Sequence, residues 1–199
     1  PDPDVPQDTE AAALFDVDNT LIQGSSLILL AEGLARRRFI TAGELFPALL
    51  KQIRYRLRGA ESHSDIAAGR EQALGIVKGK RVDELKALCQ EIVERQMLDK
   101  AYQDTIELAS MHIAAGQQVW LVSATPVQIG QALAKRLGFT GALGTVAEEQ
   151  DGVFTGRLVG DILHGPGKKH AVAALAAIQR LDLDKCTAYS DSINDLPML

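Results

Sequence analysis

Beyond Lys100 the chain alternates apolar strand and amphipathic helix. This confines it to a parallel α/β sheet of the doubly wound kind, with helices packed on its faces. Gln118–Ser123 (QVWLVS), Ala142–Val146 and Thr187–Ser190 read as strands. Tyr102–Ala115 reads as a helix stopped by Gly116. Thr125-Pro126 reads as an N-cap with proline at the first helical position, opening a helix that runs to Leu137 and ends at Gly138. Gln150–Val153 reads as a hairpin bend around Asp151-Gly152. Gly165-Pro166-Gly167 is a loop that opens an Ala-rich helix, Lys168–Arg180. One further strand, Ala11–Val17 (AAALFDV), lies far upstream. Between it and Lys100 the strand signal vanishes. Leu27, Leu30 and Leu34, then Leu45, Leu49, Ile53 and Leu57, then Leu85, Leu88 and Ile92 recur at helical spacing instead. The spacing predicts about four helices, a small bundle inserted between the first strand and the rest of the sheet.

Charge marks the same insertion. Residues 24–100 carry 14 Lys/Arg and 10 Asp/Glu, whereas the rest of the chain carries 7 and 16. The predicted organisation is a flexible Pro/Asp-rich tail at 1–10, a sheet domain at 11–23 and 101–199, and a helical cap at 24–100. The sheet pattern stops at Leu199 in the first turn of a helix, so a continuing chain is expected. A net charge of −5 argues against a nucleic-acid binder. Cys89 and Cys186 lie too far apart for a zinc knuckle or a disulfide framework. The apolar run Leu27–Ala31 ends at Glu32, far short of the ~20 residues a membrane span needs. The cytoplasm is the expected compartment, since no leader is visible.

Four polar groups fall at the ends of consecutive sheet elements. Asp16-Val17-Asp18-Asn19-Thr20 follows the first strand. Ser123-Ala124-Thr125-Pro126 sets a hydroxyl before a helix N-terminus, where backbone N–H groups bind anions. Lys168-Lys169 follows Gly-Pro-Gly, and Ser190-Asp191-Ser192-Ile193-Asn194-Asp195 follows the last strand. Singly, each has a plain reading as a solvated turn, a helix cap or a surface lysine pair. Together they lie at the carboxyl edge of a parallel sheet, where ligands bind. Asp16 and Asp191 are able to share a Mg²⁺ ion, which takes oxygen ligands and offsets their mutual repulsion. Ser123 and a lysine then hold phosphate oxygens, and Asp16 is placed to attack phosphorus.

The order of these motifs resembles the haloacid dehalogenase superfamily over residues 14–198. Within it the chain is most similar to subfamily IB, the phosphoserine-phosphatase branch, above all in Ser190–Leu199 (SDSINDLPML). The resemblance implies a doubly wound core with an inserted four-helix-type cap, and Mg²⁺-dependent hydrolysis of a phosphomonoester. It implies that Asp16 is the nucleophile that becomes an aspartyl-phosphate. Asp18 protonates the leaving alcohol, activates water, and lends its main-chain carbonyl to the metal. Asp191 completes the metal shell with Asp16 and Asp18. Ser123 and the Ala124 N–H bind phosphate, Lys168 neutralises charge, Thr20 braces the loop, and Asn194 and Asp195 support the metal waters and the lysine. Lys168 is preferred to Lys169 because it sets Val172 and Leu175 at +4 and +7 on a buried face.

Two positions depart from that branch. Ser25 stands where an acid grips the substrate amine, and Ala73 where an arginine grips its carboxylate, so the resemblance leaves the substrate open. Lys51, Arg54 and Arg58 share one helical face, a candidate for weak contact with an acidic substrate or surface. A small phosphorylated substrate is expected, with no nucleic acid and no transmembrane segment. A phospho-acceptor switch is the rival reading, together with a non-catalytic phosphatase-like domain of a larger protein such as a membrane-lipid enzyme. Asp18 argues against the switch, because a second acid two residues on speeds loss of the phosphoryl group.

Overall fold

A computed structural model describes residues 1–41 and 74–198. In chain order the elements are β1 (Ala12–Phe15), α1 (Ser26–Arg36), α2 (Val82–Ile92), α3 (Gln103–Ala114), β2 (Gln118–Pro126), α4 (Val127–Leu137), β3 (Gly141–Thr145), β4 (Ala147–Gln150), β5 (Val153–Leu158), α5 (Pro166–Gln179) and β6 (Thr187–Tyr189). Four strands form one parallel sheet in the order β3-β2-β1-β6. Side chains alternate between its faces. Ala13, Phe15, Val119 and Leu121 join one buried cluster with Ala109 of α3 and Ile129 and Leu133 of α4. Leu14 and Val122 join the other with Val172 and Leu175 of α5. Both faces are thus covered by helices, as the alternation predicts. The strand order reverses at β1, with β2 on one side and β6 on the other. In parallel sheets such a reversal marks the ligand-binding edge, here beyond the carboxyl ends of β1 and β6.

Two boundaries carry information. The hairpin β4–β5 turns at Asp151 and Gly152, with φ values of 53° and 77°. This doubly left-handed bend is the one that Asp-Gly favours. At Thr125-Pro126 the sequence reading needs correction. β2 continues to Pro126, the helix starts at Val127, and Pro126 itself holds the cap position. Proline forces the residue before it into an extended conformation, so Thr125 stays in the strand and does not cap.

The described part of 24–100 is helical, as predicted: α1, α2, then a π turn at Val93–Met97 and a 3₁₀ turn at Leu98–Lys100. Leu29, Leu30 and Leu34 of α1 and Leu85, Cys89 and Ile92 of α2 belong to the same buried cluster as Phe15 and Leu121. The described helices therefore share the buried core of the sheet. The link into α2 is also stitched to the hairpin: Gly79 N–H donates to Phe154 O, Phe154 N–H to Lys80 O, and Val82 N–H to Gly152 O, at 2.9–3.0 Å. The stripe Leu45–Leu57, the basic face of Lys51, Arg54 and Arg58, and Ala73 lie outside the described residues.

Residues 1–10, expected as a flexible tail, form no helix or strand. They are nevertheless tied to the end of α3, with Asp2 N–H donating to Ala114 O at 2.8 Å and Asp8 N–H to Ala115 O at 2.9 Å. The last carbonyls of a helix lack partners within it, and this segment supplies two. Among the described residues no helix is long and apolar enough to cross a membrane.

A shared core makes a prediction. Ile92 is fully buried, and Ile92→Ala is expected to cost about 2–5 kcal/mol while leaving a single cooperative transition in urea. Two separable transitions in the wild type or the variant would overturn the shared core.

Candidate active site

The loop after β1 is built by its own backbone. Asp16 N–H donates to Tyr189 O at 2.9 Å, which carries the β1–β6 pairing one residue beyond the strand. The chain then doubles back, with the N–H groups of Leu21 and Ile22 both donating to Val17 O at 3.0 and 2.9 Å. Asn19 takes a left-handed conformation, φ 57°, which asparagine tolerates better than most residues. Its side-chain oxygen accepts from Gly24 N–H at 2.9 Å. Asp18 turns toward α1, where its Oδ1 accepts from the Ser26 N–H at 2.9 Å and from the buried Ser26 hydroxyl. Thr20 Oγ1 accepts from Asp191 N–H at 3.0 Å, and Thr20 O from Thr105 Oγ1 at 2.8 Å. Thr20 therefore braces the loop against both the 190s turn and α3.

Lys168 lies in the first turn of α5, which opens with Pro166. It is 3% exposed, whereas Lys169 is exposed. Val172 and Leu175 continue its buried face. Its ammonium donates to Asp16 Oδ1 at 2.6 Å and to Asp195 Oδ2 at 2.7 Å. Asp195 is also buried and sits in the 3₁₀ turn Ile193–Met198, the turn that contains Asn194. Burial is the main force on Asp16. It pushes the carboxyl from 3.8 up to about 6, against the pull of Lys168, and the charges of Asp195 and Asp18 add to the rise. One lysine thus fails to offset the dehydration of this carboxylate, and the pocket favours further positive charge.

Within β2, Ser123 is buried. Its Oγ lies 2.9 Å from Thr125 Oγ1 and accepts from Thr125 N–H at 3.2 Å. Ala124 is exposed, and its carbonyl accepts from Thr145 Oγ1 at 2.7 Å. Phe15 is in register with Leu121, so Asp16 leaves β1 beside the stretch of β2 that carries Val122 and Ser123. β3 presses close behind. A Cβ on Gly144 would stand 2.7 Å from Val127 Cα and 2.9 Å from Thr125 O.

The structure therefore brings Asp16, Lys168 and Asp195 into direct contact, and ties Asp18, Thr20 and Asp191 to the same loop system. Ser123 and Ala124 lie in the neighbouring strand β2, beyond its pairing with β1. Asp191 is exposed, and its link to Thr20 runs through its backbone. Among the described residues no three His, Cys, Asp or Glu side chains form a metal-holding cluster. The expected set is two carboxylates and one main-chain carbonyl, all oxygen donors suited to a hard divalent ion. Sequence reasoning gave no role to Ser26 or Ser190 and took Thr125 for a cap. Ser26 and Ser190 are bonded to site residues across a turn, and Thr125 to Ser123 two residues before it in β2. The only signal was their presence inside or beside the motifs.

The haloacid dehalogenase-like hydrolase profile matches residues 13–199, and the chain belongs to that family. It is 54% identical over 194 residues to the phosphoserine phosphatase SerB1 of Mycobacterium tuberculosis strain H37Rv, covering 98% of this chain and 63% of that protein. The chain thus spans less than two thirds of that relative's length. A phosphoserine phosphatase of Albidiferax ferrireducens is 29% identical over 196 residues, covering 93% of this chain and 73% of the relative. A solved protein of unknown function from Bordetella pertussis Tohama I superposes with a TM-score of 0.80 at 28% identity, covering 96% of this chain and 86% of that one. A phosphoserine phosphatase solved as a phospho-aspartyl intermediate analogue shares the fold, with a TM-score of 0.62 at 17% identity and coverage of 96% and 82%.

The ion cluster predicts how stability follows pH. The folded pKa of Asp16, about 6, exceeds the 3.8 of the free group. The stability linked to its protonated form is complete below 3.8 and is lost as pH rises through about 6. Lys168→Met removes the cation and moves that upper limit higher. Metal-free Lys168→Met is expected to lose about 3–5 kcal/mol against wild type at pH 7 and less at pH 5, where the Asp16 pair no longer counts and the lost Asp195 pair still does, read from urea melts. A deficit that does not change with pH would overturn this account.

Proposed function

We propose that this member of the haloacid dehalogenase-like hydrolases cleaves small phosphomonoesters through an aspartyl-phosphate on Asp16. The supporting observation is the Lys168 ammonium, dry and bonded to both Asp16 and Asp195, at the switch point of a parallel sheet. In the first step an Asp16 carboxylate oxygen bonds to phosphorus, the ester P–O bond breaks, and Asp18 gives its proton to the leaving alkoxide. In the second step Asp18 takes a proton from water, the water oxygen bonds to phosphorus, and the Asp16–phosphorus bond breaks. The Ser123 hydroxyl, the Ala124 N–H and Lys168 hold the phosphoryl oxygens and their charge.

Asp16, Asp191 and the main-chain carbonyl of Asp18 would hold Mg²⁺, with Asn194 and Asp195 in support. The ion supplies positive charge that lets a carboxylate approach an anionic phosphate. Residues 24–100 act as the cap that excludes bulk water during transfer. A cytoplasmic setting goes with this reading. Phosphoserine is the reference substrate because of the relatives, yet Ser25 offers no acid for an amine. Ser25 instead holds the cap position of α1 with no side-chain cap bond. The substrate class is therefore a small phosphate ester in which an ammonium group is not required.

The test is phosphate release, with and without Mg²⁺, from phosphoserine, sugar phosphates, nucleotides and lysophosphatidic acid. Metal-dependent turnover is expected, with Asp16→Asn lowering kcat by roughly 10³-fold or more, the loss of the covalent route. Folded protein that turns over no ester, or an Asp16→Asn variant that keeps its rate, would overturn the proposal.

A further inference from the structure

Ser190 lies between β6 and Asp191, and the reaction above gives it no task. Its Oγ accepts from Ser192 N–H at 3.1 Å and lies 2.7 Å from Asp195 Oδ2. A carboxylate that receives an ammonium has no proton to give, so the Ser190 hydroxyl is the donor in that second contact. Asp195 Oδ2 therefore takes two donors on one oxygen, Ser190 Oγ and Lys168 Nζ, each at 2.7 Å. Lys168 is meanwhile shared with Asp16 at 2.6 Å.

We propose that Ser190 is a positioning residue of this site: its hydroxyl occupies part of the Asp195 carboxylate, so that Lys168 stays shared with Asp16 instead of being drawn wholly to Asp195. The inference rests on phosphoryl transfer taking place at Asp16. Three charged groups with one cation among two anions leave Lys168 two competing partners. The competition is settled by what else each carboxylate binds. A neutral donor on Asp195 weakens its claim on the ammonium without adding charge. The proton of that donor is directed by Ser192 N–H, which fills a lone pair of the hydroxyl from the other side. Removing the hydroxyl shifts Lys168 toward Asp195 and away from the atom that must attack phosphorus. The damage falls on the chemical step more than on substrate capture, because Ser123 and Ala124, which hold the phosphoryl oxygens together with Lys168, are unaltered.

The experiment compares wild type, Ser190→Ala, Ser190→Thr, Ser190→Val and Asp16→Asn in steady-state hydrolysis of p-nitrophenyl phosphate with Mg²⁺. Circular dichroism and thermal melts accompany the kinetics. Ser190→Ala is expected to lower kcat about tenfold, the size of one ordinary hydrogen bond in the transition state, with KM within twofold of wild type. Threonine keeps the hydroxyl and valine has the same shape without it. Ser190→Thr is therefore expected to stay within twofold of the wild-type kcat, and Ser190→Val to match alanine. If Ser190→Ala does not fold, the threonine–valine pair decides. Threonine and valine falling together, or valine and alanine both unfolding, would assign Ser190 a structural role and overturn the inference. An active wild type silenced by Asp16→Asn, beside Ser190→Ala and Ser190→Val at full kcat, would overturn the inference alone. A folded wild type without turnover, or an active Asp16→Asn, would overturn both this inference and the phosphatase reading.

Discussion

A buried ammonium between two buried carboxylates sets the terms for the rest of this structure. Lys168 comes from α5, Asp16 from the end of β1 and Asp195 from the turn after β6. Three separate stretches must converge within hydrogen-bond distance, or each leaves a charge in a dry place. An unpaired buried charge costs several kcal/mol, so the three positions hold or fail together. The strand order meets this need. β6 lies beside β1, and α5 covers the face of the sheet beneath both through Val172 and Leu175. Pro166 starts α5 early enough to put Lys168 in its first turn. Burial holds Asp16 well above an ordinary carboxyl against the pull of Lys168, and the charges of Asp195 and Asp18 add to the rise.

The inserted segment is fixed to this frame at both ends. At its start the Asp18 carboxylate holds the first turn of α1 through Ser26. At its end Gln23 N–H donates to Lys100 O at 2.8 Å, and Tyr102 N–H to Leu21 O at 2.9 Å. Between these points α1 and α2 add their leucines and isoleucine to the cluster that carries Phe15. Asp18, in the candidate-site loop, is thus bonded to the helix that leads into the insertion. Any displacement of α1 against the sheet must break or move the Asp18–Ser26 pair. The chemistry of the loop and the placement of the insertion are in this sense one mechanical unit.

The sequence makes parts of this plain and hides others, for definable reasons. Lys168 could be preferred to Lys169 because helical spacing links it to Val172 and Leu175, and the structure buries that face. Asp151-Gly152 marked a bend because only such residues adopt two left-handed conformations in succession easily. Thr125 was misread because two local rules compete there. Its hydroxyl suits a cap, yet the following proline holds it extended, and the proline effect prevails. Periodicity shows that a helix buries a face, but not what the face is buried against. The leucines of α1 and α2 read as buried helix faces, and only the fold shows that they join the cluster around Phe15 and Leu121.

Hydroxyls are the least legible class, and they follow a pattern. Ser26 serves Asp18, Thr125 serves Ser123, Thr145 fixes the carbonyl of Ala124, Thr20 receives the N–H of Asp191, and Ser190 serves Asp195. Five site residues are each oriented by a neutral side chain from another position. A charged orienting group would serve poorly here. Another carboxylate would raise Asp16 further, and another cation would compete with Lys168 for the same oxygens. A hydroxyl donates or accepts with no net charge, so it fixes geometry while leaving the electrostatic balance to Asp16, Lys168 and Asp195. Serine and threonine are common and unpatterned, and their partners here are set by the tertiary fold. This outer layer becomes visible only once the strands, α1 and α5 are in place.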